Sequence, residues 1–123
     1  MKYLLDSDTL IYASQPEIRY VPCREWLEHE NVAISAISRA EVLGFHRLTE
    51  TDAEFFATVL RFMPQLPITD AVLDQAVRTR QQLRIKTPDA IVAATALVHG
   101  LALVTADAGF ARVAGLSVIN PLL

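Results

Sequence analysis

The stretch YLLDSDTLIY sets two carboxylates, Asp6 and Asp8, directly after an apolar run that reads as a buried strand. A carboxylate in such a place is costly to bury unless a nearby charge compensates it. Three more acids stand at comparable addresses. Glu41 follows the run Val32 to Ser35 within SRAE, Asp89 lies in TPDAIVAATAL, and Asp107 follows LALVT. None has an obvious basic partner in its own motif. Asp6, Glu41, Asp89 and Asp107, brought together, would raise one another's pKa and lose stability without a cation, and a divalent metal is the simplest one. An all-oxygen donor set suits Mg²⁺ or Mn²⁺, hard ions that keep several waters. Held by carboxylates, such an ion supplies charge neutralisation at a phosphate and an activated water, the two needs of phosphodiester hydrolysis.

Each acid also has an ordinary structural explanation. Ser38 and Glu41 have the spacing of a capping box, and Thr51 and Glu54 in TETDAEF repeat that spacing with no chemistry implied. Asp89 after Thr87-Pro88 fits the first turn of a helix, facing the positive end of its dipole. Asp107 before Ala108-Gly109 fits a turn, and Asp6 or Asp8 fits a helix cap. Singly, each acid reads as structural. Jointly, their common position at strand ends and helix starts points to a shared site.

The elements that must position these acids alternate along the chain. Strands are expected near Tyr3 to Leu5, Val32 to Ser35, Leu66 to Ile68, Ala102 to Thr105 and Ser117 to Ile119. Helices are expected from about Leu10 and after Pro22, Ser38, Thr51, Thr69 and Thr87. This alternation predicts a mostly parallel sheet covered on both faces, in which sites gather at the carboxyl ends of the strands. With 123 residues and no linker or repeat, residues 1–123 are expected to form one domain, and a 52% hydrophobic content supports a substantial core.

The formal charge of −3 argues against coating nucleic acid by bulk electrostatics, so any such contact is local or metal-assisted. Arg39 and Lys86, close before Glu41 and Asp89, are candidates for phosphate contacts. Cys23 is the only cysteine, which excludes an internal disulfide and a thiolate metal site, and reads as a core thiol. His29, His46 and His99 share no ligand spacing, so zinc is not expected, and His99 before Gly100 reads as a cation at a helix end. The N-terminal apolar run is too short for a signal peptide, and AIVAATALV is far below the about 20 residues of a membrane span. A cytoplasmic protein is the expectation. In FFATVLRFM the residues Phe55, Phe56, Val59, Leu60, Phe62 and Met63 form a stripe wider than one core-facing side needs. It is read as a dimer or partner surface, with unusually deep burial as the alternative.

YLLDSDTLIY, AISRAEVLGF, KTPDAIVAATAL and LALVTADAGF resemble, in order and spacing, the four acidic motifs of the PIN domain, most closely the VapC-type toxins and their FitB-like relatives. The likeness runs to the closing VINPLL. It implies a three-layer α/β/α fold and an Mg²⁺- or Mn²⁺-dependent ribonuclease with Asp6, Glu41, Asp89 and Asp107 as its catalytic, metal-binding set. Thr105 matches the hydroxyl residue that orients the carboxylates in such proteins. The resemblance further implies a homodimer held inactive by a small, VapB-like antitoxin. One departure is Asp6-Ser7-Asp8, where the family commonly has Asp-Thr-Asn or Asp-Thr-Ser, which leaves Asp8 either added negative charge or a cap.

Two other readings stand beside this one. Asp6-x-Asp8 resembles the nucleophile and acid pair of haloacid-dehalogenase-type phosphatases, although Leu10 occupies a position where those have Thr or Val. A non-catalytic binding module of the same fold is the second, against which the retention of four mutually repelling acids counts.

Overall fold

Neighbouring residues in the central strands divide the core into two layers. Leu4 packs with Ala33, Leu103 and Phe110 in one apolar cluster, whereas Leu5 packs with Ile34, Val104 and Phe56 in another. A strand turns successive side chains to opposite faces, so these pairs show a sheet buried on both sides. Each fully buried leucine contributes about 1.5–3 kcal/mol.

The computed structural model describes residues 1–123. In chain order it comprises β1 (Tyr3–Leu5), α1 (Ser7–Ala13), a 3-10 turn (Ile18–Tyr20), α2 (Val21–Leu27), β2 (Val32–Ser35), α3 (Ala36–Leu43) and α4 (Glu50–Phe62). There follow β3 (Gln65–Leu66), α5 (Asp70–Gln82), α6 (Thr87–His99), β4 (Ala102–Val104), a 3-10 helix (Ala108–Arg112) and β5 (Val118–Ile119). The strand order is β3-β2-β1-β4-β5, with every pairing parallel. The expected three-layer α/β/α architecture is therefore the one observed.

That order reverses between β1 and β4, which creates a topological switch point at their carboxyl ends. Asp6 follows β1 and Thr105 follows β4. Their main chains are pinned there, because Asp6 N donates to Val104 O at 3.0 Å and Thr105 N to Ile119 O at 2.9 Å. Helices α1 and α3 spring from the same edge directly after β1 and β2. Helix α6 leads into β4, so it runs back across the sheet and also begins at that edge. It is the most deeply set helix: Ala90 to Ala96 are all buried, packed between the sheet and α5. Gly100 ends it at φ 67, a left-handed conformation that favours glycine.

Several helix starts differ from the sequence expectation. Asp6 itself caps α1, which begins at Ser7 rather than near Leu10. Helix α3 begins at Ala36, since Ser35 at the end of β2 accepts a hydrogen bond from Ile37 N and no loop is needed. Ser38 therefore lies inside the helix, and the Ser38–Glu41 capping box does not form. Its buried Oγ has no hydrogen-bond partner. Likewise Thr49, accepting from Asp52 N at 3.1 Å, caps α4 in place of Thr51, which puts Glu50 and Asp52 in the first turn where the helix dipole favours acids. Strand β3 stops at Leu66 because Pro67 has no N–H to extend the ladder.

Most of the FFATVLRFM stripe is core. Phe56, Leu60 and Met63 are buried and Phe55 and Val59 pack against them, so burial accounts for its width except at Phe62, which is 77% exposed. Cys23 is buried, and burial pushes its thiol up to about 11, as for an inert core cysteine. No helix is long and apolar enough to cross a membrane.

Candidate metal and active site

Asp6 is the centre of the site. It is only 5% exposed, and its Oδ1 accepts from Ser7 N at 2.9 Å while its Oδ2 accepts from the Thr105 hydroxyl at 2.8 Å. Burial is the main force lifting its pKa to about 7, and the negative charge of Asp8 adds to it. The hydrogen bonds from Thr105 and Ser7 oppose the rise, and Asp89 adds a smaller push upward. No cationic side chain compensates it.

The same Thr105 hydroxyl lies 3.2 Å from Asp8 Oδ2, so one proton serves two carboxylates. Asp8 also accepts from Ala106 N at 3.1 Å and from the Thr9 hydroxyl at 3.3 Å. Asp8 is thus tied across the switch point to the residues after β4, in the same cluster as Asp6. Burial raises its pKa, against the pull of these hydrogen bonds. Nothing in the sequence signals this place for Asp8 except its spacing of two from Asp6.

Glu41 is half-buried in the second turn of α3, away from any cap. Burial and then the charge of Asp89 raise its pKa, a hydrogen bond with Ser7 lowers it, and Asp8 raises it further. Asp89 is likewise raised by burial and by Asp107, with Lys86 pulling the other way. The positive end of α6 therefore leaves the charge of Asp89 undercompensated. Asp107 is exposed and serves the turn expected of it, capping the 3-10 helix through Oδ1 at 2.8 Å from Gly109 N. Asp89 and Asp107 line one cleft together with Lys86. Arg39 stands exposed on α3, about 200° around the helix from Glu41, and does not line that cleft.

The four expected acids and Asp8 accordingly form one electrostatic group at one edge of the sheet. No three of the Asp, Glu, His or Cys side chains converge closely enough to hold an ion as they stand. This does not conflict with Mg²⁺, which is held by one or two carboxylates together with waters and substrate phosphate rather than by an all-protein cage. The donors are all oxygen, and the repulsion that raises their pKa values is what a dication relieves. By donor chemistry the residues fit a hard divalent ion.

Thr105 holds Asp6 and Asp8 in position, and its own Oγ accepts from Asp107 N at 3.1 Å. Thr105→Val removes the donor while keeping the shape. Mn²⁺ affinity, measured by calorimetric titration, should fall 10–100-fold, on the order seen when an outer partner of a ligand is removed. Thr105→Ser should retain most of the affinity. Equal affinity in the Val variant would show that the hydroxyl positions nothing.

A family model described as PIN domain matches residues 3–116. Among solved structures, the chain is similar to a toxin-antitoxin complex from Klebsiella pneumoniae, at 28% identity over 98% of each chain with a TM-score of 0.81. It is also similar to FitAcB from Neisseria gonorrhoeae, at 28% identity over 97% of each chain with a TM-score of 0.76. VapBC2 from Rickettsia felis, bound to a DNA fragment from their promoter, shares the fold at 21% identity over 98% of each chain with a TM-score of 0.80. No curated protein sequence matches the chain.

Proposed function

The chain belongs to the PIN domain family, and on that premise we propose that it is a metal-dependent endoribonuclease, the toxin of a type II toxin-antitoxin pair. The observation that carries this reading is the undercompensated acid group at the switch point, centred on buried Asp6. Family membership leaves the haloacid-dehalogenase-type reading without support.

In this proposal Asp6, Glu41 and Asp89 would hold Mg²⁺ or Mn²⁺, directly or through the waters that such an ion keeps, with Asp107 at the exposed rim. When bound, the ion supplies charge neutralisation at the scissile phosphate and an activated water. The chain's own residues do the rest. Thr105 fixes the carboxylates of Asp6 and Asp8, and Asp8 deepens the negative potential that draws the dication. A carboxylate of the group that the ion leaves free would accept the proton of the attacking water.

A small antitoxin is the proposed partner and a homodimer the proposed assembly, in a cytoplasmic setting where RNA is the substrate. Similarity to a toxin-antitoxin complex supports the first. Exposed Phe62 beside a hollow lined by Leu27, Val59 and Met63 supports a protein contact on that face.

The test is cleavage of RNA by the purified chain. Cleavage should require Mg²⁺ or Mn²⁺, stop with EDTA, and fall at least about 100-fold in Asp89→Asn, whose loss removes one charge from the metal-holding set. Full activity of Asp89→Asn, or cleavage in EDTA, would remove the assignment. Carboxylate-dependent metal binding without cleavage of any RNA would favour the non-catalytic module.

A further inference from the structure

Two adjoining hollows lie beside the acid group. The first, about 520 Å³, is lined by Arg80, Arg84, Lys86 and Arg112 as well as by Asp89 and Asp107. The second, about 450 Å³, shares Arg80 and Arg84 with the first and continues past Gln81 and Gln82 at the end of α5. Four of the chain's 11 Lys and Arg residues thus gather where only two of its 14 acids stand, against a net charge of −3 for the whole molecule. The local sign is opposite to the global one.

Two of the three guanidinium heads, those of Arg80 and Arg112, are held in place by the main chain. Arg80 Nε donates to Ile85 O at 3.3 Å, while Arg112 donates through Nε to Gly109 O and through Nη2 to Arg84 O, both at 3.2 Å. Each guanidinium carries five N–H donors, so these bonds orient it and leave donors free. Oriented guanidiniums match phosphate oxygens two at a time, and pre-orientation lowers the entropy lost on binding. A single small anion would need one such hollow. Two in a row, sharing Arg80 and Arg84 and ending beside Asp89 and Asp107, suit a linear polyanion.

We propose that Arg80, Arg84, Lys86 and Arg112 form the track that grips the phosphate backbone of single-stranded RNA next to the scissile position. This assignment deepens the nuclease reading and rests on it for the identity of the polyanion. The track supplies affinity independent of base sequence, since phosphate contacts carry no base information. It also resolves how an acidic chain holds RNA, because the favourable field is confined to the cleft.

The experiment measures binding of a labelled single-stranded oligoribonucleotide across a KCl series in Mg²⁺, in an Asp6→Asn background that holds cleavage off. Arg84→Gln is the cleaner variant, since the hydrogen bond at that residue uses its main-chain carbonyl. The double variant Arg84→Gln/Arg112→Gln extends it, with melting temperature as the check on folding. The slope of log K against log[KCl] should shrink by about 0.7 for each phosphate that the variant no longer neutralises, equally for unrelated sequences. With Asp6 restored, KM should rise about tenfold in the double variant with kcat little changed, the pattern of weakened uniform binding.

An unchanged slope in the folded variants, or no RNA binding by the parent, would overturn the track. So would loss of affinity in Arg84→Gln for an Asp- and Glu-rich peptide alone, which would give the cleft to a protein partner. Cleavage with unaltered slopes would leave the nuclease standing without the track. Altered slopes with no cleavage under any metal would leave the RNA track standing without the nuclease.

Discussion

Raising the pH of the metal-free chain from about 4 to about 7 should destabilise it, lowering the melting temperature by on the order of 10 °C. The cause is Asp6, whose pKa is about 7 in the folded chain against an ordinary 3.8. Between these values the folded chain keeps a proton that the unfolded chain releases, so stability falls as pH rises and levels off above the folded value. Such a displacement corresponds to on the order of 4 kcal/mol, a large share of the 5–15 kcal/mol typical of a domain. Asp8, Glu41 and Asp89 shift in the same direction and reinforce the sign. Saturating Mg²⁺ at pH 8 should recover much of the loss, because a ligand that binds only the folded state stabilises it. Thermal melts in EDTA across this range, with and without the ion, give the answer. A flat profile, or one that rises with pH, would show that the charge of Asp6 is compensated by something other than a metal.

Asp6→Asn should separate activity from stability. Asn caps a helix about as well as Asp and accepts the same hydrogen bond from Ser7 N, so the fold is preserved. The buried charge is gone, and the metal-free variant should melt higher than the parent at pH 8 and lose most of the pH dependence. RNA cleavage should drop on the order of 10³-fold, since a bound metal is worth several kcal/mol of transition-state stabilisation and each 1.36 kcal/mol is tenfold in rate. Gain of stability with loss of function is the signature of a site held under electrostatic strain. A variant that cleaves within about tenfold of the parent, or that melts lower, would return Asp6 to a purely structural role.

Much of this arrangement is legible in the sequence because it is local. Tyr3 to Leu5 and Val32 to Ser35 form strands with the expected limits, and Asp6 ends the first of them. Asp89 sits in the first turn of α6, as Thr87-Pro88 indicates. What the sequence hides depends on distant residues. Glu41 has the spacing of a capping acid, but Ser35 takes the cap and draws Ser38 into the helix. The importance of Asp8 comes from Thr105 and Ala106, almost a hundred positions away. The basic cleft unites the end of α5, the segment before α6 and Arg112 of the 3-10 helix, and no pattern within any one of them announces the other two.

The hydrogen bond between Asp6 and Thr105 joins residues 99 positions apart. A nascent chain on the ribosome therefore carries Asp6 long before it carries the strand that completes the cluster, which waits until β4 has emerged and docked beside β1. The switch-point topology ties assembly of the acid group to the arrival of β4. A translation product cut short before β4 lacks both Thr105 and Asp107 and cannot complete the group.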